Sequence, residues 1–207
     1  GENDLGAAGT IYKMDSVTGK PSVWAQLPQQ QFSYANRDCE TITSAMDQQA
    51  RNTGVGLGNI DYDPIHNQFF VTNFEDGIIY RLDYQGNILS TYDPFAPDDG
   101  LPGWPNNSQG LAGEDMPYGV AYNPVYNKLF FGTFGVPPIE ANDGNRRPSR
   151  LYTIDLDDNG DFVLSSTTLH WTANQPPNSP ARAAALSLAI SDIAIMPDGR
   201  VIVGTRS

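Results

Sequence analysis

An internal repeat constrains the fold of this chain more than any other feature of its sequence. Its first half is an alternating apolar segment, a short turn that contains proline, and a second apolar run. The three copies read "NIDYDPIHNQFFVT" from Asn59, "GVAYNPVYNKLFFGT" from Gly119 and "DIAIMPDGRVIVGT" from Asp192. Alternation around a turn rich in Pro, Asn, Asp and Gly predicts a β-hairpin in each copy.

The second half of the repeat predicts another hairpin. It combines a strand carrying a central tyrosine, a turn and a further strand, and its copies begin with "GTIYKMD" at Gly9, "GIIYRLD" at Gly77 and "SRLYTID" at Ser149. The recurring tyrosines are expected to pack in the core, as are Phe70 and Phe131, which we assign to one repeat position. Two successive hairpins form a four-stranded antiparallel meander, the unit of a propeller blade, so the chain is predicted to be all-β.

The segments "DGIIYRLDYQGNIL", "GVAYNPVYNKLFFGT" and "ISDIAIMPDGRVIVGT" resemble the β-propeller repeats of the NHL, YncE and SMP-30 kind. The resemblance covers roughly half of the chain, because long loops separate the hairpins. It implies a single propeller or propeller segment over 1–207. Its complete blades are expected at 57–92 and 117–171, and a third blade is expected to be divided between 9–27 and 189–207.

The divided blade permits two interpretations. Its two halves pair within a closed ring, or the chain is part of a longer propeller or of an assembly with other copies or flanking domains. Three blades are fewer than the usual number of about 4–8, so we favour the second interpretation. Between the hairpins, one short helix is expected within 28–53, with Asp38 as its N-cap, and one or two helical turns over 181–188.

The charge of the chain excludes one class of function. Its formal net charge is -12 and it has no basic run, so it cannot neutralise phosphates and nucleic-acid binding is not expected. No apolar stretch approaches the roughly 18 residues of a transmembrane helix. Low lysine with abundant asparagine and acid favours a secreted or cell-surface protein.

Two groups of residues are candidates for calcium. Asp155, Asp157 and Asn159 place oxygens at alternating positions before a glycine, as a calcium loop does, although equivalent places in the other repeats are ordinary hairpin turns, which favours a turn. Hydrolases of the SMP-30 type hold a divalent cation in the central channel. The resemblance therefore implies that Asn59 and Asp192, near the starts of first strands, share such an ion.

Few other side chains suggest chemistry. Trp104 lies outside the repeat in a loop rich in Pro and Gly, where an aromatic ring is a candidate contact for a glycan or a protein, with loop packing as the alternative. His66 follows Pro64 in a turn and is expected at the surface, and His170 is expected to pack. No catalytic residue is assigned.

The sequence therefore predicts a non-enzymatic extracellular or cell-surface β-propeller module that serves as a binding platform or structural scaffold. Its expected partners are a protein or a glycan, or other copies or flanking domains of the same protein. Such a module needs no cofactor. The alternative is a propeller enzyme, either a Ca²⁺-dependent lactonase-like hydrolase or a quinone-dependent sugar dehydrogenase.

Overall fold

The computed structural model of the chain describes residues 9–28, 57–73, 77–94, 116–134, 149–173 and 189–206. The chain divides into two compact units, Gly1–Gly56 and Leu57–Ser207. The helices predicted within 28–53 and 181–188 lie outside the described residues. In the described parts, no helix is long and apolar enough to cross a membrane.

Strands account for nearly all regular structure in these parts, together with one 3-10 turn at Leu164–Ser166. In chain order they are β1 (Thr10–Met14), β2 (Pro21–Gln26), β3 (Leu57–Asp63), β4 (Gln68–Asn73), β5 (Ile78–Asp83), β6 (Ile88–Tyr92), β7 (Met116–Asn123), β8 (Lys128–Phe134), β9 (Arg150–Asp155), β10 (Thr168–Thr172), β11 (Ala189–Ile195) and β12 (Val201–Arg206). The prediction of an all-β protein is confirmed.

The first unit contains the antiparallel pair β1–β2, here called the N-terminal hairpin. Its turn is closed by Asp15, whose Oδ1 accepts the backbone amides of Val17 at 3.0 Å and Thr18 at 2.6 Å. These hydrogen bonds, that of Thr18 above all, hold the pKa of Asp15 below its ordinary value. Asp15 thus forms the turn through local side-chain bonds, and the amide of Gly19 donates to the Asp15 carbonyl oxygen, as the turn residues in the sequence predict.

The second unit contains two four-stranded antiparallel sheets and one further hairpin. The first meander has the order β3-β4-β5-β6, the second meander has the order β7-β8-β9-β10, and the C-terminal hairpin is β11-β12. The predicted four-stranded antiparallel sheets are therefore confirmed. The fourth strand of the second meander, β10, is almost entirely exposed, so the core of that sheet lies in its first three strands.

The second meander is covered on both of its faces. One face packs against the first meander in a cluster that contains Phe70, Ile79, Tyr92, Val120, Tyr122, Leu129, Phe131, Ile154 and Leu156. The other face packs against the C-terminal hairpin in a cluster that contains Ala121, Phe130, Leu151, Ile190 and Ile193. Period-2 alternation explains this, because adjacent residues of each strand point to opposite faces.

Strand register corrects one detail of the sequence analysis. Phe70 and Phe131 are both fully buried, but they do not occupy one position. Counted from the β3–β4 and β7–β8 turns, the residue equivalent to Phe70 is Phe130. The error arose from matching the two Phe-Phe pairs by identity, whereas the turn fixes hairpin register.

The two proline turns make the same hydrogen bonds. In the first, the hydroxyl of Tyr62 donates to Asn67 Oδ1 at 2.7 Å, and in the second, that of Tyr122 donates to Asn127 Oδ1 at 2.9 Å. Both asparagines have positive φ, 54° and 50°. Asparagine tolerates this left-handed conformation better than most residues, which explains its use at both places.

The first strands of the three sheets lie close together, with β7 in contact with both β3 and β11. A Cβ atom on Gly58 would lie 2.5 Å from the carbonyl oxygen of Tyr118, and one on Gly119 would lie 2.9 Å from that of Ile190. This close approach between the backbones of neighbouring strands is therefore possible only because these positions are glycine.

Candidate functional site

A partly buried hydrogen-bond network, here called the joint, connects the two meanders. Its members are Asp63, His66, Gln68 and Arg81 of the first meander and Asn159, Gly160 and Asp161 of the turn after β9. It joins four charged or titratable side chains, Asp63, His66, Arg81 and Asp161, through hydrogen bonds and an ion pair.

Asp63 is the centre of the joint. Its Oδ1 accepts the backbone amides of Ile65 at 2.9 Å and His66 at 3.2 Å, and its Oδ2 accepts His66 Nδ1 at 2.6 Å and Gln68 Nε2 at 2.9 Å. The carboxylate is fully buried, which is tolerated because four donors surround it. His66 was expected at the surface, but only 14% of its side chain is exposed.

Gln68 and Arg81 extend the network to the second meander. Gln68 Nε2 also donates to the carbonyl oxygen of Gly160 at 2.9 Å, and its Oε1 accepts Arg81 Nε at 2.6 Å. Arg81 Nη2 donates to the carbonyl oxygen of Asn159 at 2.7 Å, and Nη1 lies 3.4 Å from Asp161 Oδ1. One guanidinium thus binds three groups in its planar fork.

Gly160 allows the turn to approach the first meander. Its φ is +73°, and a Cβ atom there would lie 2.4 Å from Gln68 Nε2 and 2.7 Å from His66 Cγ. The backbone of the turn therefore lies against the imidazole ring. A carboxylate–imidazole pair is also the base half of a nucleophilic triad. Here the carboxylate serves four donors and the ring is covered by backbone, an arrangement that fits a structural connection.

The residues predicted as a calcium loop lie in the same turn. Asp157 Oδ1 accepts the backbone amides of Asn159 at 2.9 Å and Asp161 at 2.8 Å. These two hydrogen bonds hold the pKa of Asp157 below its ordinary value, and the bond from the Asp161 amide has the larger effect. Asp155 forms an ion pair with Lys128. The contacts are those of an Asx turn, the arrangement the sequence favoured, and calcium binding here stays a prediction.

Asn59 and Asp192 lie in β3 and β11, the strands on either side of β7. The Asn59 amide donates to Thr72 Oγ1 at 2.9 Å, and its Oδ1 accepts the Ile60 amide at 2.8 Å. Asp192 is exposed and lies opposite Gly204 in the hairpin register. A metal ion shared by Asn59 and Asp192 stays a prediction. In the described ranges, no three His, Cys, Asp or Glu side chains come together as a metal site.

Asp61 is a titratable group to which no sequence pattern pointed. It lies on β3, and its Oδ2 accepts the backbone amide of Tyr122 at 2.6 Å. Burial raises the pKa of Asp61, and the hydrogen bond from Tyr122 opposes that rise. Burial also raises the pKa of Tyr122 to about 12. Asp61 therefore connects the first strands of the two meanders at a cost in desolvation.

A second candidate is a partly exposed set of rings on the first meander, here called the aromatic row and formed by Tyr62, Phe69 and Tyr84. Ring centroids lie 4.8 Å apart between Tyr62 and Phe69 and 6.3 Å apart between Phe69 and Tyr84. Tyr62 is 39% exposed and Tyr84 is 56% exposed. Ile60 and Ile88 are also exposed and lie on the sheet face of Tyr62, which extends the apolar surface.

The remaining predicted positions have separate outcomes. Trp104 lies outside the described residues. His170 is exposed, its Nε2 lies 2.8 Å from Thr153 Oγ1, and its ring lies 6.0 Å from that of Phe130. Sequence reasoning missed the joint and the aromatic row. Two sequence signals pointed to the joint. A histidine lies three residues after Asp63, and polar residues occupy strand positions, although a polar residue in a strand usually indicates a side chain that faces solvent.

Comparison with known proteins identified no relative of this chain. Neither the models of known protein families nor the curated proteins searched include a match to this chain.

Proposed function

We propose that this protein is a non-enzymatic β-propeller module of the extracellular or cell-surface kind, and that it is a platform for binding a protein partner. The packing of the two meanders and the C-terminal hairpin supports the interpretation of the sheets as propeller blades. In that packing β3, β7 and β11 lie side by side, as the inner strands of adjacent blades do. The matching Asn67 and Asn127 turns support the repeat.

The aromatic row is the observation that carries the binding role. Three rings in contact, flanked by Ile60 and Ile88, form an apolar surface on one sheet. Tyrosine and large apolar side chains supply contact area at low entropic cost, which is why they are enriched at protein interfaces. The joint holds this sheet to its neighbour, so the surface is presented on a firm support.

The aliphatic flanks favour a protein over a glycan. Sugar-binding surfaces combine aromatic faces with polar groups that bind hydroxyls, whereas Ile60 and Ile88 offer only apolar contact. A low lysine content, with 3 Lys in 207 residues, supports a location outside the cell. The joint supports a scaffold, since its Asp63–His66 pair is enclosed by Gln68 and Gly160.

The test uses the full chain, immobilised and exposed to surface extract from the source organism. The double variant Tyr84→Ser with Ile88→Ser is expected to lose captured proteins that the wild type retains. Tyr126→Ser is the matched control, because that tyrosine is 57% exposed but lies in the β7–β8 turn. The control is expected to retain the same proteins.

Three results would contradict the proposal. If the double variant and the control captured the same proteins in equal amounts, the aromatic row would not be the binding surface. Binding on a glycan array that the double variant loses, without protein capture, would replace the protein partner by a glycan. Ca²⁺-dependent hydrolysis of lactones, or quinone-dependent oxidation of sugars, would support the enzymatic alternatives.

A further inference from the structure

The joint contains an asparagine followed by a glycine. Asn159–Gly160 is the only Asn-Gly pair in the sequence. At such pairs the following residue has no side chain to shield its backbone nitrogen, so that nitrogen can attack the asparagine side chain. Asn159 is exposed and lies in a turn, outside any strand ladder.

Two hydrogen bonds from the first meander restrain the peptide groups on either side of Gly160. The carbonyl oxygen of Asn159 accepts Arg81 Nη2 at 2.7 Å, and that of Gly160 accepts Gln68 Nε2 at 2.9 Å. Within the turn, the Gly160 amide donates to the carbonyl oxygen of Asp157 at 2.9 Å. The attacking nitrogen is therefore held in a bond, and the peptide plane turns only when these contacts open.

We propose that Asn159–Gly160 is a site of spontaneous deamidation, and that opening of the joint controls its rate. The Gly160 nitrogen bonds to Asn159 Cγ, the Cγ–Nδ2 bond breaks, and ammonia leaves with the proton from that nitrogen. Water then opens the resulting succinimide at either carbonyl, which gives aspartate or isoaspartate. No oxidant or cofactor is required, and the net change is amide plus water to carboxylate plus ammonium.

The isoaspartate product is incompatible with the closed joint. It routes the main chain through the former side chain and adds one carbon between residues 159 and 160. The two carbonyl oxygens that Arg81 and Gln68 bind then no longer keep their spacing. The added carboxylate also lies beside Asp157 and Asp161 in a turn that is already acidic. Modification therefore loosens the contact between the meanders irreversibly.

The test follows isoaspartate at residue 159 during incubation of the folded full chain, by peptide mapping and labelling with an isoaspartate-specific methyltransferase. Arg81→Lys keeps the positive charge but removes the guanidinium fork. It is expected to accelerate the modification roughly tenfold, the effect of losing one charge-assisted hydrogen bond. Ser90→Ala, which removes the bond from Ser90 Oγ to Asp161 Oδ1 at 2.7 Å, is expected to give a smaller acceleration.

Two controls define the baseline. Asn159→Ser cannot form the succinimide and sets the background of the labelling. Arg200→Lys changes an exposed arginine that pairs with Asp198 in the β11–β12 turn, and it is expected to leave the rate at residue 159 unchanged. Because Ser90→Ala is a mild change, its rate of modification can still be compared with that of the wild type if Arg81→Lys does not fold.

The modified protein is then separated by ion exchange and compared with the unmodified one. Faster hydrogen exchange of the amides of residues 160 and 161 is expected after modification. Labelling no greater than in Asn159→Ser would overturn the proposed site. Equal rates in wild type, Arg81→Lys and Ser90→Ala would overturn control by the joint, and unchanged hydrogen exchange would overturn the loosening.

Discussion

Replacing Gln68 by methionine removes the side chain that connects the two halves of the joint. The two side chains have similar length, so the change deletes hydrogen bonds with little change in volume. Three bonds are lost, to Asp63 Oδ2 at 2.9 Å, to the Gly160 carbonyl oxygen at 2.9 Å and from Arg81 Nε at 2.6 Å. The former partners of Gln68 remain in place, and burial limits the access of water that could replace the lost hydrogen bonds.

The expected loss follows from those three bonds. The bonds to Asp63 and Arg81 involve charged groups, each worth about 1.5–3 kcal/mol, and the bond to Gly160 is worth about 0.5–1.5 kcal/mol. Asp63 keeps three other donors and Arg81 keeps its contacts with the turn, so the losses are partial. We expect the free energy of unfolding to fall by about 3–5 kcal/mol, near the upper end for single substitutions.

Urea-induced unfolding followed by tryptophan fluorescence measures this change. The dependence on urea concentration should keep its slope, because the surface exposed on unfolding is unaltered. Gln85→Met is the matched control, since Gln85 lies exposed in the β5–β6 turn, and its effect should stay within about 0.5 kcal/mol. A loss below about 1 kcal/mol for Gln68→Met, at constant slope, would refute a stabilising role for the joint.

Three other substitutions test separate parts of the structure. Burial raises the pKa of Asp61 above its ordinary 3.8, so folding favours the protonated form and the wild type loses stability as pH rises through the folded-state pKa. The melting temperature of Asp61→Asn relative to that of the wild type should therefore increase over this pH range. A difference in melting temperature that is constant with pH would contradict this. Gly132→Ala places a Cβ 2.2 Å from Ile190 Cγ2 and should cost about 1–3 kcal/mol in urea unfolding. Tyr80→Ala should cost about 3–5 kcal/mol, because its ring is 2% exposed, and a near-neutral result would remove it from the core.

The hairpins could be predicted because their signals are local. Pro64 and Pro124, each followed three residues later by an asparagine, mark turns whose hydrogen bonds lie within five residues. Alternation on either side of each turn then defines the strands. The exact register was less accessible, since Phe130 and Phe131 are both apolar and only the count from the turn distinguishes their faces.

The joint could not be predicted because its contacts are distant in sequence. The bond between Gln68 and Gly160 joins residues 92 positions apart. Gln68 and Arg81 are polar residues within strands, and a polar side chain is usually found at the surface. Gln68 is buried and Arg81 is partly buried because the turn of the next meander covers them, and the sequence alone does not show which turn packs against which strand.

The calcium loop shows a different limit. Asp157 and Asn159 carry oxygens at the spacing that both calcium loops and Asx turns use, so local sequence favours neither by chemistry alone. In the structure Asp157 Oδ1 accepts two backbone amides, which uses that oxygen for the turn. Calcium binding by this turn therefore stays a prediction.

The exposed strand β10 has a consequence for how this protein can change. Since the described core of the second meander lies in β7, β8 and β9, we expect substitutions at the most exposed positions of Thr168–Thr172 to alter mainly the surface. Such a strand is a natural place to diversify residues in a library, or for evolution to introduce a new specificity, while the core strands keep their sequence. Gly58 and Gly119 are the opposite case, because a larger residue at either position would meet the backbone of a neighbouring sheet.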